Sequence, residues 1–216
     1  MNRAEFKAQA KAQIKGKIGI LFLITLIIAA VSGIASAVLS MIPVVGSLAA
    51  SVIVTPAFAL SIARVYLQLT KGVKPQVADA FSGFDDFWSA FKVTFLVGLF
   101  TFLWSLLFVI PGIIKGYAYS MSTYVLAENK GKAALECIEE SKKMTEGHKM
   151  DLFILDLSFI GWHLLGGITF GIAYIWIVPY MNATYVNVYN SLKPAPVVEA
   201  APVVEAAPAE EAVSEQ

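Results

Sequence analysis

Ionisable side chains interrupt apolar segments that are otherwise long enough to cross a membrane. Residues 18–63 contain no Asp, Glu, Lys, Arg or His, and Arg64 ends this stretch. Asp156 lies inside another apolar segment, a few residues past its charged start. A charge in the hydrocarbon region is costly and is by default a functional hypothesis. We therefore take Arg64 and Asp156 as candidate site residues that can pair.

Two further polar side chains fall at a similar predicted depth. At a rise of 1.5 Å per residue, Arg64 and Asp156 both lie about 7–8 Å inside the cytoplasmic leaflet. Tyr124 and Asn187 come near the same level, so the four residues predict an inner-leaflet polar layer. The alternatives are a purely structural ion pair and an Arg64 that extends to the headgroups.

The opposite side of the membrane offers two weaker candidates, Lys115 and His163. Lys115 lies near the outer end of an apolar segment, where we expect its ammonium group to reach the headgroups. His163 lies deeper and can face Lys115 or Ser105, although a packing role is the simpler interpretation.

The sequence offers no catalytic, cofactor or metal site. Cys137 is the single cysteine, and His148 and His163 are far apart without a ligand cluster. Phosphate-loop, nucleophile-elbow and metal-ligand helix motifs are absent. We expect a protein that is not an enzyme and has no cofactor. Its cytoplasmic lysines suit anionic lipid headgroups better than nucleic acid.

The elements that position these residues are predicted to be helices in a membrane. Of 216 residues, 57% are hydrophobic and 15% are charged, whereas soluble chains average about 25% charged. Because one span needs about 20 apolar residues, the pattern predicts an all-α polytopic protein with six spans in three hairpins. The spans are 18–39, 47–69, 92–110, 113–127, 152–168 and 170–189, with outer turns at 41–46, 111–112 and 166–167.

Short amphipathic helices and a tail are predicted on the cytoplasmic side. Residues 2–15, 75–81 and 128–151 mix lysines or acids with apolar residues, as surface helices do, although 2–15 can also be a frayed leader. The N-terminus imitates a signal peptide with small residues at 35–37, but we favour an uncleaved span. Residues 1–193 form the membrane domain, and the Ala/Pro/Val/Glu-rich acidic tail, 194–216, is predicted to be disordered.

The distribution of basic residues predicts the orientation. With six spans, every Lys and Arg except Lys115 falls in the termini, in the long loops or near the span ends on their side. The positive-inside rule then places both termini in the cytoplasm of a multi-pass cell-membrane protein.

The three predicted hairpins resemble one another. The segment beginning at Gly16 can be aligned with that beginning at Gly147, and Pro56, Pro111 and Pro179 mark the second span of each hairpin. A threefold internal repeat is one interpretation. The alternative is that membrane hairpins in general look alike.

Three stretches carry a family resemblance: 110–121 (IPGIIKGYAYSM), 140–149 (ESKKMTEGHK) and 157–162 (LSFIGW). Together they resemble an integral membrane family of Gram-positive bacteria known as a domain of unknown function, DUF975. That family is distantly similar to the membrane domain of glycerophosphodiester phosphodiesterases. The resemblance implies a multi-span helical fold and no activity, and the catalytic barrel of the phosphodiesterases is absent.

Two functions remain open from the sequence. The first is a non-enzymatic scaffold or regulator that binds other membrane or envelope proteins. The second is a small transporter or lipid-handling protein that uses the inner-leaflet polar layer. A polar cavity around Arg64 and Asp156 would favour the second, and a packed interior would favour the first.

Overall fold

The computed structural model describes residues 2–39 and 45–193, and within them all regular structure is helical. The predicted tail and most of the predicted 41–46 turn lie outside the described residues. The elements are α1 (Arg3–Ile14), α2 (Ile18–Leu39), α3 (Val45–Thr70), a 3-10 segment (Val77–Asp86), α4 (Phe87–Leu107), α5 (Val109–Tyr119), α6 (Ser122–Glu128), α7 (Ala134–Met144), α8 (Lys149–Leu157), α9 (Ile160–Ile168) and α10 (Tyr174–Leu192).

Three helical stretches are long and apolar enough to cross a membrane: Ile18–Val38, Val77–Leu107 and Lys149–Ile168. The predicted all-α class and the membrane character are thereby confirmed. The predicted surface helix at 2–15 is α1, and α7 lies within the predicted helical region 128–151. The predicted surface helix at 75–81 is instead the longer 3-10 segment, which runs directly into α4.

The turn expected at 111–112 was predicted three residues too late. The chain bends at Phe108, which is extended (φ −158°, ψ 143°), and α5 begins at Val109. Pro111 lies in the first turn of α5, where the missing N–H removes no helical hydrogen bond. Beyond the bend α5 runs back along α4, and a Cβ on Gly112 would lie 2.1 Å from Ser105 Oγ.

The turn expected at 166–167 was also wrong. Helix α9 continues through both glycines, and the chain turns at Phe170 and Gly171, which have φ of 49° and 90°. A Cβ on Gly166 would lie 2.5 Å from the ring of Tyr174. Gly166 therefore permits close contact with the next helix rather than forming the turn.

Two predicted spans are interrupted rather than continuous. The fourth, 113–127, is divided between α5 and α6 at Ser120 and Met121, and the fifth, 152–168, between α8 and α9 at Ser158 and Phe159. At the first break the Met121 N–H donates to Ser141 Oγ at 3.1 Å. A contact from another helix thus replaces a bond of the helix itself, which periodicity does not reveal.

Buried side chains concentrate at one end of the described helices, and exposed apolar side chains at the other. The buried end holds the later halves of α3 and α10 together with α6, and includes Leu60, Tyr66, Leu126 and Tyr189. The exposed apolar residues of the other end cluster in 99–114, 160–176 and the second half of α2. An exposed apolar surface of this extent indicates contact with lipid or protein.

The described helices can be grouped into three units, each with a surface segment, an outer helix and an inner helix. The surface segments are α1, the 3-10 segment and α7. The outer helices are α2, α4 and the interrupted pair α8–α9. The inner helices are α3, the interrupted pair α5–α6 and α10, and each contains one of the three aligned prolines.

Each surface segment packs on the inner helix of another unit, and the arrangement closes into a ring. The 3-10 segment lies on α3, α7 lies on α5 and α6, and α1 lies on α10. Gly16 and Gly147, which the sequence alignment matches, both have a left-handed backbone, with φ of 76° and 77°. These two features support the threefold repeat. We call the three contacts the α3, α5–α6 and α10 junctions.

Candidate functional site

Arg64 lies at the α3 junction and holds the 3-10 segment on α3. Its Nη2 binds Asp86 Oδ2 at 2.8 Å, and its Nη1 donates to the Ser82 carbonyl. The Arg64 and Asp86 side chains are only 12% and 14% exposed. One turn earlier, Gly83 N–H donates to Ser61 Oγ at 2.8 Å in a fully buried bond. Arg64 is therefore part of a continuous polar contact between two elements.

Asp156 lies elsewhere and has a different partner. Its Oδ2 accepts a hydrogen bond of 2.8 Å from the Tyr117 hydroxyl, which joins α8 to α5. The predicted pairing of Arg64 with Asp156 was wrong. The sequence predicted only a short surface helix at 75–81, whereas residues 77–86 fold onto α3 and place Asp86 beside the guanidinium group.

Asn187 forms the polar contact of the α10 junction. Its side chain accepts from Gln13 Nε2 at 2.9 Å and donates to the Phe6 carbonyl at 3.3 Å. Tyr124, by contrast, stacks on Tyr189, with ring centroids 5.6 Å apart. The four residues predicted as an inner-leaflet polar layer thus have separate partners, and three of them join neighbouring elements.

The two outer candidates are also satisfied within the protein. Lys115 Nζ lies 4.6 Å from the ring centroid of Trp104, a favourable cation–π geometry. His163 Nδ1 lies 3.3 Å from the Tyr174 hydroxyl. The suggested contact of His163 with Lys115 or Ser105 is replaced by this one, because the turn at residues 169–173 brings Tyr174 back against α9.

The polar contact of the α5–α6 junction was not among the predicted site residues. Ser141 is fully buried, donates to the Ala118 carbonyl at 2.8 Å and accepts from Met121 N–H. Thr145, also fully buried, donates to the Ser141 carbonyl at 2.8 Å. A signal was available, since Ser141 follows Cys137 by four residues on the apolar face of an otherwise charged helix.

The Glu128 carboxylate, which was also not among the predicted site residues, holds the end of α10 in place. Glu128 accepts from the Tyr189 hydroxyl at 2.9 Å and from Lys193 Nζ at 2.6 Å, and Lys71 Nζ lies 3.7 Å away. Partial burial acts to raise the pKa of the Glu128 carboxyl. The hydrogen bonds from Lys193 and Tyr189 outweigh it, so the pKa lies below its ordinary value.

Cys137 is fully buried on α7, and burial raises the pKa of its thiol to about 11. Such a thiol is a packing residue rather than a nucleophile. Beside it Lys132 pairs with Glu140, and this hydrogen bond, together with the charge of Glu140, raises the pKa of Lys132. In the part of the chain that the structure describes, no three His, Cys, Asp or Glu side chains form a metal-binding group.

Comparison with known proteins gives one result. No curated protein and no solved structure matches the chain. A family model matches it twice, over residues 1–114 and 106–195, and the two matches together cover every described element. The chain belongs to the DUF975 family, described as protein of unknown function.

Proposed function

We propose that this chain spans the bacterial cytoplasmic membrane six times, with both termini in the cytoplasm. The three long apolar helices support half of these spans, and α3, α5–α6 and α10 would supply the others. Each of these returns beside an outer helix. The one-sided distribution of Lys and Arg supports the orientation. The buried, polar-contact end then faces the cytoplasm, and the exposed apolar end lies in lipid.

Cysteine accessibility in whole cells tests this topology. In a Cys137→Ala background, we expect Lys130→Cys to react with a membrane-impermeant maleimide only after the cells are permeabilised. Ile172→Cys, in the turn between α9 and α10, should react in intact cells. Reaction of Lys130→Cys in intact cells would show that the orientation is the opposite of the proposed one. Protection of Ile172→Cys in both states would show that the last two helical segments do not cross the membrane.

We propose further that the protein is a non-enzymatic scaffold or regulator of other membrane or envelope proteins. The observation that carries this proposal is that the polar groups within the helices bind protein partners: Arg64 binds Asp86, Asp156 binds Tyr117, and Asn187 binds α1. Groups used in this way stabilise a rigid cytoplasmic platform. They do not converge on a common substrate.

Helix α7 is the best candidate for the surface that this platform presents. Its inner face is buried through Cys137, Ile138 and Ser141. Its outer face exposes Glu136 and Glu139 together with Lys142 and Lys143. An exposed helix face of mixed charge on a fixed support suits specific contact with a charged partner, because charge complementarity determines orientation and association rate.

Crosslinking followed by purification in mild detergent tests the scaffold. We expect the wild-type protein to recover a stoichiometric membrane or envelope protein, and Glu136→Lys to recover at least five-fold less. Asp85→Lys makes the same charge change at an exposed site on the 3-10 segment and should recover as much as wild type. Absence of any stoichiometric partner for the wild-type protein would count against the scaffold.

A groove between α4 and α5 favours the second candidate, a small transporter or lipid-handling protein. The groove has a volume of about 340 Å³ and includes Thr101, Ser105, Tyr117 and Ser120 in its lining. Tyr117 is also the partner of Asp156. Asp156→Asn in reconstituted vesicles tests this role, because Asp156 is the partner of Tyr117 in the groove. Unaltered lipid binding and flux in this variant would exclude it.

A further inference from the structure

We propose that the cleft between α1 and α8 binds a phosphate group, carried by a lipid headgroup or free in the cytoplasm. The cleft has a volume of about 530 Å³, within the range of small-molecule sites. Its lining residues are Asn2, Arg3, Ala4, Lys7, Ile154 and Ser158. The site goes beyond the scaffold role and does not depend on it.

Two cations on one face of α1 give the cleft its charge. Arg3 and Lys7 are four residues apart, so their side chains are neighbours and repel each other. Burial first, then the charges of Lys11 and Arg3, lowers the pKa of Lys7. Over the described ranges, 2–39 and 45–193, neither cation lies within ion-pair distance of a carboxylate. The nearby acid of α1, Glu5, accepts instead from Gln9. An anion is the missing component.

Lys7 is held in place by Ser158 and Phe159, the two residues that follow α8. Its Nζ donates to Ser158 Oγ at 2.5 Å and lies 4.6 Å from the ring centroid of Phe159. Phe159 is itself fully buried. The ammonium group is therefore fixed at the cleft wall rather than free in solution, which reduces the entropy lost when a ligand binds.

Arg3 has donor capacity that the protein does not use. Its Nη1 is enclosed, and no hydrogen-bond acceptor lies within reach in the described structure. Leaving an enclosed donor unsatisfied costs about 1–3 kcal/mol. Rotation of the flexible Arg3 side chain would bring this donor to phosphate oxygens in the cleft, since a guanidinium group binds phosphate through two parallel hydrogen bonds. Lys7, one turn along the same face of α1, would add a second positive charge.

Apolar side chains also line the cleft. Ala4 lies on α1 between the two cations, and Ile154 on α8 remains 38% exposed. A phospholipid can place its phosphate at Arg3 and Lys7 and its glycerol and acyl carbons along Ala4 and Ile154. A free phosphate would use the two cations alone.

Binding by purified full-length protein in detergent micelles tests the site. The probes are dioctanoyl phosphatidic acid, dioctanoylglycerol, which has no phosphate, and inorganic phosphate. We expect phosphatidic acid to bind wild type and to bind Arg3→Gln at least ten-fold more weakly, with no binding of dioctanoylglycerol. Inorganic phosphate that binds with the same dependence on Arg3 identifies a free phosphate as the ligand. Binding of the phosphatidic acid alone identifies a headgroup.

Arg3 is the residue of choice because its guanidinium group bonds to no side chain among the residues that the structure describes, so α1 should remain in place without it. Protection of Cys137 from maleimide verifies that each variant is folded. Lys74→Gln removes the same charge from an exposed site and should bind as wild type does. Equal binding by wild type and Arg3→Gln would overturn the proposal, as would an equal loss in Lys74→Gln.

Discussion

Arg64 Nη2 and Asp86 Oδ2 are 2.8 Å apart, across a junction between α3 and the 3-10 segment that precedes α4. The two side chains are almost enclosed, so the pair is fixed by geometry and shielded from salt. Equivalent junctions use neutral groups, Ser141 in one and Asn187 in the other. The three junctions thus share one arrangement of a surface segment on an inner helix, but each uses a different polar group.

Arg64→Ala should lower the free energy of unfolding by about 3 kcal/mol, because it leaves the Asp86 carboxylate without its partner. Chemical denaturation in detergent measures this. A double-mutant cycle of Arg64→Ala with Asp86→Asn should show a coupling of about 1–3 kcal/mol, whereas the cycle with Asp156→Asn should be additive. Coupling to Asp156 rather than Asp86 would contradict the observed pairing.

Gly83→Ala should destabilise the protein by about 3 kcal/mol, because the new Cβ would lie 1.9 Å from the Ala57 carbonyl oxygen. The thermal midpoint in detergent reports the effect. Gly98→Ala is the control. Gly98 lies in α4 with open space around the position. The higher helix propensity of alanine should therefore raise the free energy of unfolding by up to about 1 kcal/mol. Equal effects of the two changes would argue against tight packing at the α3 junction.

Ser141→Ala should lower the free energy of unfolding by about 2 kcal/mol, because the Ala118 carbonyl and the Met121 N–H both lose a buried partner. Ser120→Ala tests the specificity of this effect. The Ser120 hydroxyl is exposed and bonds only within its own turn, so a change below about 0.5 kcal/mol is expected. If Ser141→Ala left the free energy of unfolding unchanged, apolar contact alone would hold α7 on α5 and α6.

Glu128 should make stability depend on pH in the acid range. Its folded pKa lies below the unfolded value, which is about 4.3. The stabilisation is therefore present above that value and is lost as the pH falls through the folded pKa. Thermal midpoints of wild type and Glu128→Gln should differ at pH 7 and converge as the pH falls below the folded pKa. A difference in thermal midpoint that grew as the pH fell would contradict this prediction.

Cys137 should resist modification in the native state. Its thiol is fully buried, with a pKa raised to about 11, so almost no accessible thiolate exists at pH 7.5. Maleimide labelling should require denaturant, whereas Lys130→Cys in a Cys137→Ala background should react at once. Rapid labelling of native Cys137 would indicate that α7 leaves the core.

The sequence alone determined the helical class, the membrane character and the positions of α1 and α7, because hydrophobic period and charge spacing are local properties. The lack of charge in residues 18–63 determined α2 and the first half of α3. The aligned prolines and glycines indicated three similar units. The sequence also located the junction residues Arg64 and Asn187 as polar groups in apolar surroundings.

Only the tertiary structure decided which groups these residues contact. Arg64 binds Asp86 because residues 77–86 fold onto α3, and Asn187 binds α1 because α1 packs on α10. Arg3 and Lys7 face a cleft because α1 packs beside α8 as well as on α10. These contacts join residues far apart in the chain, and helical periodicity carries no information about which faces will meet.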